Sequence, residues 1–348
     1  MQLVPDLAGC PYAAYARLRD DGGVHRAVMA EGLPVWVVSR YEDVKALLAD
    51  PRLSLNAWTA GRGYPGFRLP PSLNEHLLNV DAQDHARIRR LVSKAFTPRR
   101  IDAFRGPIQQ TVDSLLDAIA PLRHCDLLPE LAVPLPIAVI SDVLGIPAED
   151  GAEFRRFTAT LMDPSDAARA SRPQVVGEMH EFFAALVARK RERPGDDLFS
   201  AMIEAGESGD LLSENEMTSL AFLILWAGFE TTVYLLATAI SLLLTHPQAA
   251  ELVRSQISPH TDAMIRIVEE ALRFEGPLLT AIRRFPLEDV EVGGRVIPAG
   301  NTVLLAVSSA NRDLDVIADA DNFAPLRDPD PHLSFGHGPH YRIDQVRP

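Results

Sequence analysis

The chain has 348 residues, 47% hydrophobic and 23% charged, which is an ordinary globular composition. Its formal net charge of −13 argues against the basic face that nucleic-acid binding requires. Two cysteines, Cys10 and Cys125, form neither a disulfide framework nor a zinc pattern, and no charged leader precedes an apolar core, so a cytoplasmic protein is expected.

Pro11 to Arg19 is apolar at helical spacing. A β-hairpin is expected next, from Val24 to Met29 and from Val35 to Ser39, with its turn at Glu31-Gly32. Tyr41 to Ala49 reads as a short amphipathic helix stopped by Pro51. Asn56 to Pro71, rich in Gly, Pro and aromatic residues, reads as a long loop. From Asp84 to about Gln256 the pattern is almost wholly helical, with joints at Pro98, Pro121, Pro134, Pro136, Pro147 and Pro194. Ser213-Glu214-Asn215-Glu216 fits a capping box that opens a long apolar helix, and His246-Pro247 closes it. Thr261 to Phe274 is a further helix. Val290 to Val303 alternates around Gly293-Gly294, a hairpin turn signal. Without repeats or a flexible linker, residues 1–348 read as a single mainly α domain with small sheets near both ends of the sequence.

Ser219 to Leu244 is long enough to cross a bilayer. Glu230 at its centre is costly in lipid, and no Lys or Arg cluster flanks it. A buried core helix is therefore expected, and no membrane contact.

Three constellations carry chemistry. In Ala227-Gly228-Phe229-Glu230-Thr231-Thr232, glycine weakens the helix by roughly 1 kcal/mol relative to alanine. Thr231 can bond back to a carbonyl one turn earlier, so a local opening of the ladder would make room for ligand and water. Glu230 beside Thr231 suits proton delivery. The other reading is a helix–helix contact at Gly228, with Glu230 paired to a distant arginine. Glu270 and Arg273 face one another at i, i+3, which by itself reads as a weak surface ion pair. His85 and Arg89 share a face one turn apart and could bind a carboxylate or phosphate; a solvated basic face is the alternative.

The ordered set AGFETT, EALR, AIRRFPLEDVEVGG, ANRD and HLSFGHGPHY resembles cytochrome P450 of the soluble actinobacterial type. VWVVSRYEDVKALLADPRLS, DAQDHARIRRLVSKAFTP and PLPIAVISDVLGIP agree, so the resemblance runs from about Pro11 to Tyr341. It implies the mainly α P450 fold and a haem cofactor. It assigns proton delivery to Glu230 and Thr231, and places Gly228 where the helix opens over the haem. Glu270 and Arg273 match the structural ExxR pair. The family's usual arginine completing that network is Asn322 here, although Arg327 could serve. His85, Arg89, Arg284 and His340 match propionate-binding positions, with Phe335 in the haem loop. The Asn56 to Pro71 loop, Leu223, Trp226 and Leu278 to Ala281 would line the site for a hydrophobic small-molecule substrate. Ferredoxin and its reductase would supply electrons.

Arg342 stands where the family places the axial cysteine, and its protonated guanidinium cannot ligate iron. Cys125 reads as a small buried hydrophobe rather than a substitute ligand. RIDQVRP has no apolar period, so the family's next, haem-supporting helix is expected to be missing. The protein is then expected to be truncated at its C-terminus and aggregation-prone or partner-dependent. Three readings follow. One is a monooxygenase lineage cut short by a frameshift or artefact, impaired or inactive as written. Another is a haem-free auxiliary protein similar to the cysteine-lacking homologues that bind and activate a glycosyltransferase. The third is a haem sensor or carrier using His337, His340 or the propionates alone.

Overall fold

The computed structural model describes residues 2–3, 10–29, 32–60, 71–163, 165–205, 212–255, 262–327 and 332–341. The chain divides into two compact units. Among the described residues one comprises 2–60 and 235–341, the other 71–234.

The first unit holds every described strand. Val24–Val28 and Pro34–Val38 pair antiparallel, with Arg26 opposite Trp36, as expected of a hairpin with β-branched residues. Glu31 lies outside the described residues. Val303–Leu305 then pairs parallel to Pro34–Val38, with Val37 opposite Leu304. The expected extent of the second hairpin, Val290 to Val303, is corrected here. The hairpin at Val290–Val292 and Arg295–Ile297 forms around Gly293 and Gly294, both at positive φ, but Val303 leaves it and joins the N-terminal hairpin. Parallel strands cannot be joined by a tight turn, so only a long crossover makes this pairing possible.

Successive residues of these strands face opposite clusters, so burial is nearly continuous and both sheet faces are covered. Val24, Trp36, Val38, Val303 and Leu305 pack with Tyr41, Val44 and Leu48 of the Tyr41–Ala49 helix. Tyr15, Ala27, Val35, Val37, Leu304 and Ala306 form the opposite cluster. Asp313 Oδ2 accepts the Tyr41 backbone N–H at 2.8 Å, tying the start of that helix to the ANRD segment.

The second unit is helical, as the pattern predicts. Its described elements include Ala82–Ala95, Arg105–Ile119, Pro134–Leu144, Gly151–Met162, Asp166–Glu192 and Leu198–Glu204. Pro98 opens a helix behind the Thr97 cap, a position where its missing N–H costs nothing. Pro136 is not a joint: it lies in the first turn of Pro134–Leu144, which tolerates proline for the same reason. The long helix Glu214–Thr245 passes through both units. Its capping box forms as expected, with Ser213 Oγ accepting from Glu216 N at 3.1 Å and Glu216 Oε2 from Ser213 N at 2.8 Å. This helix is long and apolar enough to cross a membrane, and a third of its most apolar window is buried. Glu216 at its start is also bound by Arg87.

Candidate functional site

In the second unit the site residues lie on two helices. His85 and Arg89 stand one turn apart on Ala82–Ala95, beside the buried Ile88, Leu91 and Val92. His85 is buried, so it belongs to no solvated basic face. Burial, and then the neighbouring Arg89, lower its pKa; burial likewise lowers that of Arg89. Both side chains thus lose hydration, and an arriving carboxylate would offset that loss.

The long helix remains α-helical through Gly228, so the expected opening of the ladder is corrected. Thr231 Oγ1 donates to Ala227 O at 2.6 Å, and this back-bond fits within the regular helix. A Cβ at Gly228 would meet Ile140 Cδ1 at 3.4 Å, ordinary contact with the Pro134–Leu144 helix. Gly228 therefore marks a helix–helix approach. Leu223, Trp226, Ala227, Glu230, Thr231 and Tyr234 recur at helical spacing as the less buried stripe of an apolar helix, while Phe222, Leu225, Phe229 and Val233 are buried. Glu230 has no ion-pair partner among the described residues.

In the first unit Arg273 and Glu270 are buried at 2% and 6% exposure, which overturns the surface-pair reading. Arg273 Nε and Nη2 grip the Glu270 carboxylate at 2.7 and 2.8 Å. Nη1 donates to Asn311 O and Ala320 O at 2.9 and 2.8 Å, and Nη2 to Asn322 O at 3.0 Å. Glu270 Oε1 also accepts from Ala324 N at 2.8 Å and lies 3.6 Å from Arg327 Nε. A buried ion pair is tolerable only when its remaining donors and acceptors are satisfied, and here they are. Arg327 supplies the third member of the network, its second cation; Asn322 contributes its carbonyl instead.

The FGHGPHY loop is tied to this network through residues to which the sequence assigned no role. Asn311 Oδ1 accepts from Leu333 N at 2.7 Å, and its Nδ2 donates to Ser334 Oγ at 2.8 Å. Ser334 Oγ donates to Leu272 O at 2.7 Å. The only hint was the ANRD string, because the partners lie far apart along the sequence. Gly336 and Gly338 adopt positive φ, and a Cβ at Gly338 would come within 2.7 Å of Ala49 Cβ. Phe335 is half-buried against His332, with ring centroids 5.5 Å apart. His340 is half-buried in the Gly338–His340 turn. Arg284 is buried, donating from Nη1 to Ile282 O at 2.8 Å, and its backbone bridges Val303.

Of the expected substrate lining, 61–70 lies outside the described residues. Leu278 is exposed and Ala281 packs on the core cluster. Arg342 also lies outside the described residues. Cys125 is exposed, which corrects the expectation of a buried hydrophobe; residues 121–126 form an open turn with little apolar cover. The described residues contain no cluster of three or more metal-ligating side chains. His85 and Arg89, a partly desolvated imidazole and guanidinium one turn apart, have the chemistry that a haem carboxylate needs, and Cys10, like Cys125, is exposed.

The mainly helical fold with small sheets and the buried ExxR ion pair define a class of haem protein. The protein belongs to the cytochrome P450 family, whose profile, described as Cytochrome P450, matches residues 154–341. It is 41% identical to the cytochrome P450 monooxygenase PikC of Streptomyces venezuelae over 97% of its own length and 80% of that protein. It is 39% identical to 6-deoxyerythronolide B hydroxylase of Saccharopolyspora erythraea over 98% of its length and 87% of the relative. The ligand-free P450 monooxygenase TamI superposes with a TM-score of 0.87 at 38% identity, covering 99% of the present protein and 82% of TamI. Haem is the cofactor of this family, and relatives of this kind serve bacterial secondary metabolism.

Proposed function

We propose that the protein is a haem-binding P450 of the secondary-metabolism monooxygenase lineage, cytoplasmic and built as one domain, whose substrate is a hydrophobic small molecule. As written it has little or no turnover, because Arg342 stands where the family has its axial cysteine. The observation that carries the lineage is the Glu230–Thr231 pair, polar and accessible on the less buried stripe of an apolar helix.

Haem, when bound, supplies the iron at which dioxygen is activated. His85, Arg89, Arg284 and His340 would hold its carboxylates. Glu230 would take protons from solvent, and the Thr231 hydroxyl would pass them on while keeping its oxygen near Ala227 O. Leu223 and Trp226 would present apolar surface to the substrate. Ferredoxin and its reductase would be the electron donors. The relatives named above are a monooxygenase and a hydroxylase, and nothing in their names points to glycosyltransferase activation.

The test is a hemin titration of the purified protein, followed by reduction and exposure to carbon monoxide. Saturable hemin binding without a thiolate-type Soret band is expected. A thiolate band would refute the assignment of Arg342, and absence of binding would refute the haem site.

A further inference from the structure

His332 precedes the haem loop and, beside the Ser334–Leu272 bond, is a second link from the Asp262–Glu275 helix to it. Its Nε2 lies 2.8 Å from Glu269 Oε2, with the imidazole almost fully buried and the carboxylate about one-third exposed. Its Nδ1 accepts the Ser334 backbone N–H at 3.3 Å. A backbone N–H can only donate, so in the neutral ring the proton resides on Nε2 and points at Glu269. The same ring packs against Phe335. One imidazole thus links a carboxylate on the helix to the backbone of the loop and to the aromatic ring that follows it. The neighbouring Glu270 is already saturated by Arg273 and Ala324. Adjacent residues on a helix point in different directions, so the two carboxylates do different work.

We infer that Glu269 is a positioning residue for the haem loop: through the Nε2–H of His332 it fixes the ring that holds Ser334 N and Phe335 in place. The step from a positioned loop to haem binding rests on the haem reading above; the loop contacts themselves do not. A carboxylate accepting from the far nitrogen of a functional imidazole fixes its tautomer and orientation, and here the object oriented is a peptide loop.

Two measurements on the full-length protein test it, each on Glu269→Ala, Glu269→Gln and His332→Phe. The first is amide exchange resolved at Ser334 and Gly336, with imidazole nitrogen NMR to locate the ring proton. Glu269→Ala should speed exchange at these amides about tenfold, a local opening, while the Val290–Val292 hairpin and the Ala82–Ala95 helix stay unchanged. Glu269→Gln retains an acceptor and should lie within about twofold of the wild type, because the link survives in weakened form. Glu269→Ala combined with His332→Phe should add nothing beyond His332→Phe alone, as both cut one link. A wild-type ring proton on Nδ1, unchanged exchange in Glu269→Ala, or loosening spread evenly over the unit would each overturn the inference. The second measurement is hemin affinity, expected to fall about tenfold in Glu269→Ala and to recover in Glu269→Gln. Wild-type protein that binds no hemin would overturn the haem reading, and the exchange data would still decide whether Glu269 positions the loop.

Discussion

Arg327 Nε stands 3.6 Å from Glu270 Oε1, so the buried carboxylate that Arg273 grips in a fork faces a second guanidinium. The turn between them favours this. Asp319 adopts a left-handed conformation (φ 54°), which aspartate tolerates, and its carbonyl accepts from Arg327 Nη2 at 2.9 Å. Ala318 O accepts from Nη1 of the same side chain.

Arg327→Ala is therefore expected to cost about 1–3 kcal/mol, because it removes both the second cation facing the buried Glu270 and the guanidinium bonds to Ala318 O and Asp319 O. Asn322→Ala should cost no more than about 0.5 kcal/mol, because its carbonyl to Arg273 is retained and its amide reaches the exposed Asp319. Urea midpoints at constant m would show the difference. Equal losses would put the third member of the network back at Asn322.

His76 is buried, and burial lowers its pKa from 6.5 to about 4. Its Nδ1 accepts from Leu78 N at 3.3 Å, and Asn79 lies 3.2 Å from Nε2. A folded-state pKa below the unfolded value means that the unfolded polypeptide binds the extra proton. Stability is then full above about pH 6.5 and falls as pH drops towards 4, by about 3 kcal/mol in all. His76→Gln should flatten that dependence, as read from urea midpoints at pH 4.5 and 7.5. The same slope in both proteins would assign the acid sensitivity elsewhere.

Two glycines should respond in opposite ways. Gly228→Ala meets Ile140 at an ordinary 3.4 Å inside a regular helix and should gain about 0.5–1 kcal/mol. Gly338→Ala meets Ala49 Cβ at 2.7 Å from a positive φ and should lose at least about 1–2 kcal/mol. Thermal melts of both variants read the sign directly. A destabilised Gly228→Ala would mean that the helix needs this residue for more than close approach.

For the carboxylate-binding pair, Arg89→Ala and His85→Ala should each weaken hemin binding about tenfold, near 1.4 kcal/mol, the scale of one charge-assisted hydrogen bond. Arg89→Lys should recover part of the loss, since a point charge replaces a fork. Unchanged affinity in both alanine variants would remove these residues from the site.

Much of this was legible because it is local. The capping box at Ser213 and Glu216, the Gly293-Gly294 hairpin and the Tyr41–Ala49 helix each depend on residues within a few positions of one another. Glu270 and Arg273 were legible as a pair but misread in character, because spacing says nothing of burial. Gly228 was misread as an opening because low helix propensity cannot show that Ile140 lies opposite. Cys125 was placed inside on residue type alone, yet its segment has no apolar cover. Asn311, Ser334 and Asp313 carried no local signal, since their partners lie 22 to 272 positions away.

The sequence by itself determined the family, the helical pattern and the candidate residues in each unit, since motifs and periodicity are properties of neighbouring positions. Tertiary structure alone decided that Val303–Leu305 joins the N-terminal hairpin, that Arg327 faces Glu270, and that His332 links Glu269 to the haem loop. Those choices depend on which distant backbone and charged groups can be satisfied together once water is excluded, a condition that no single stretch of sequence contains.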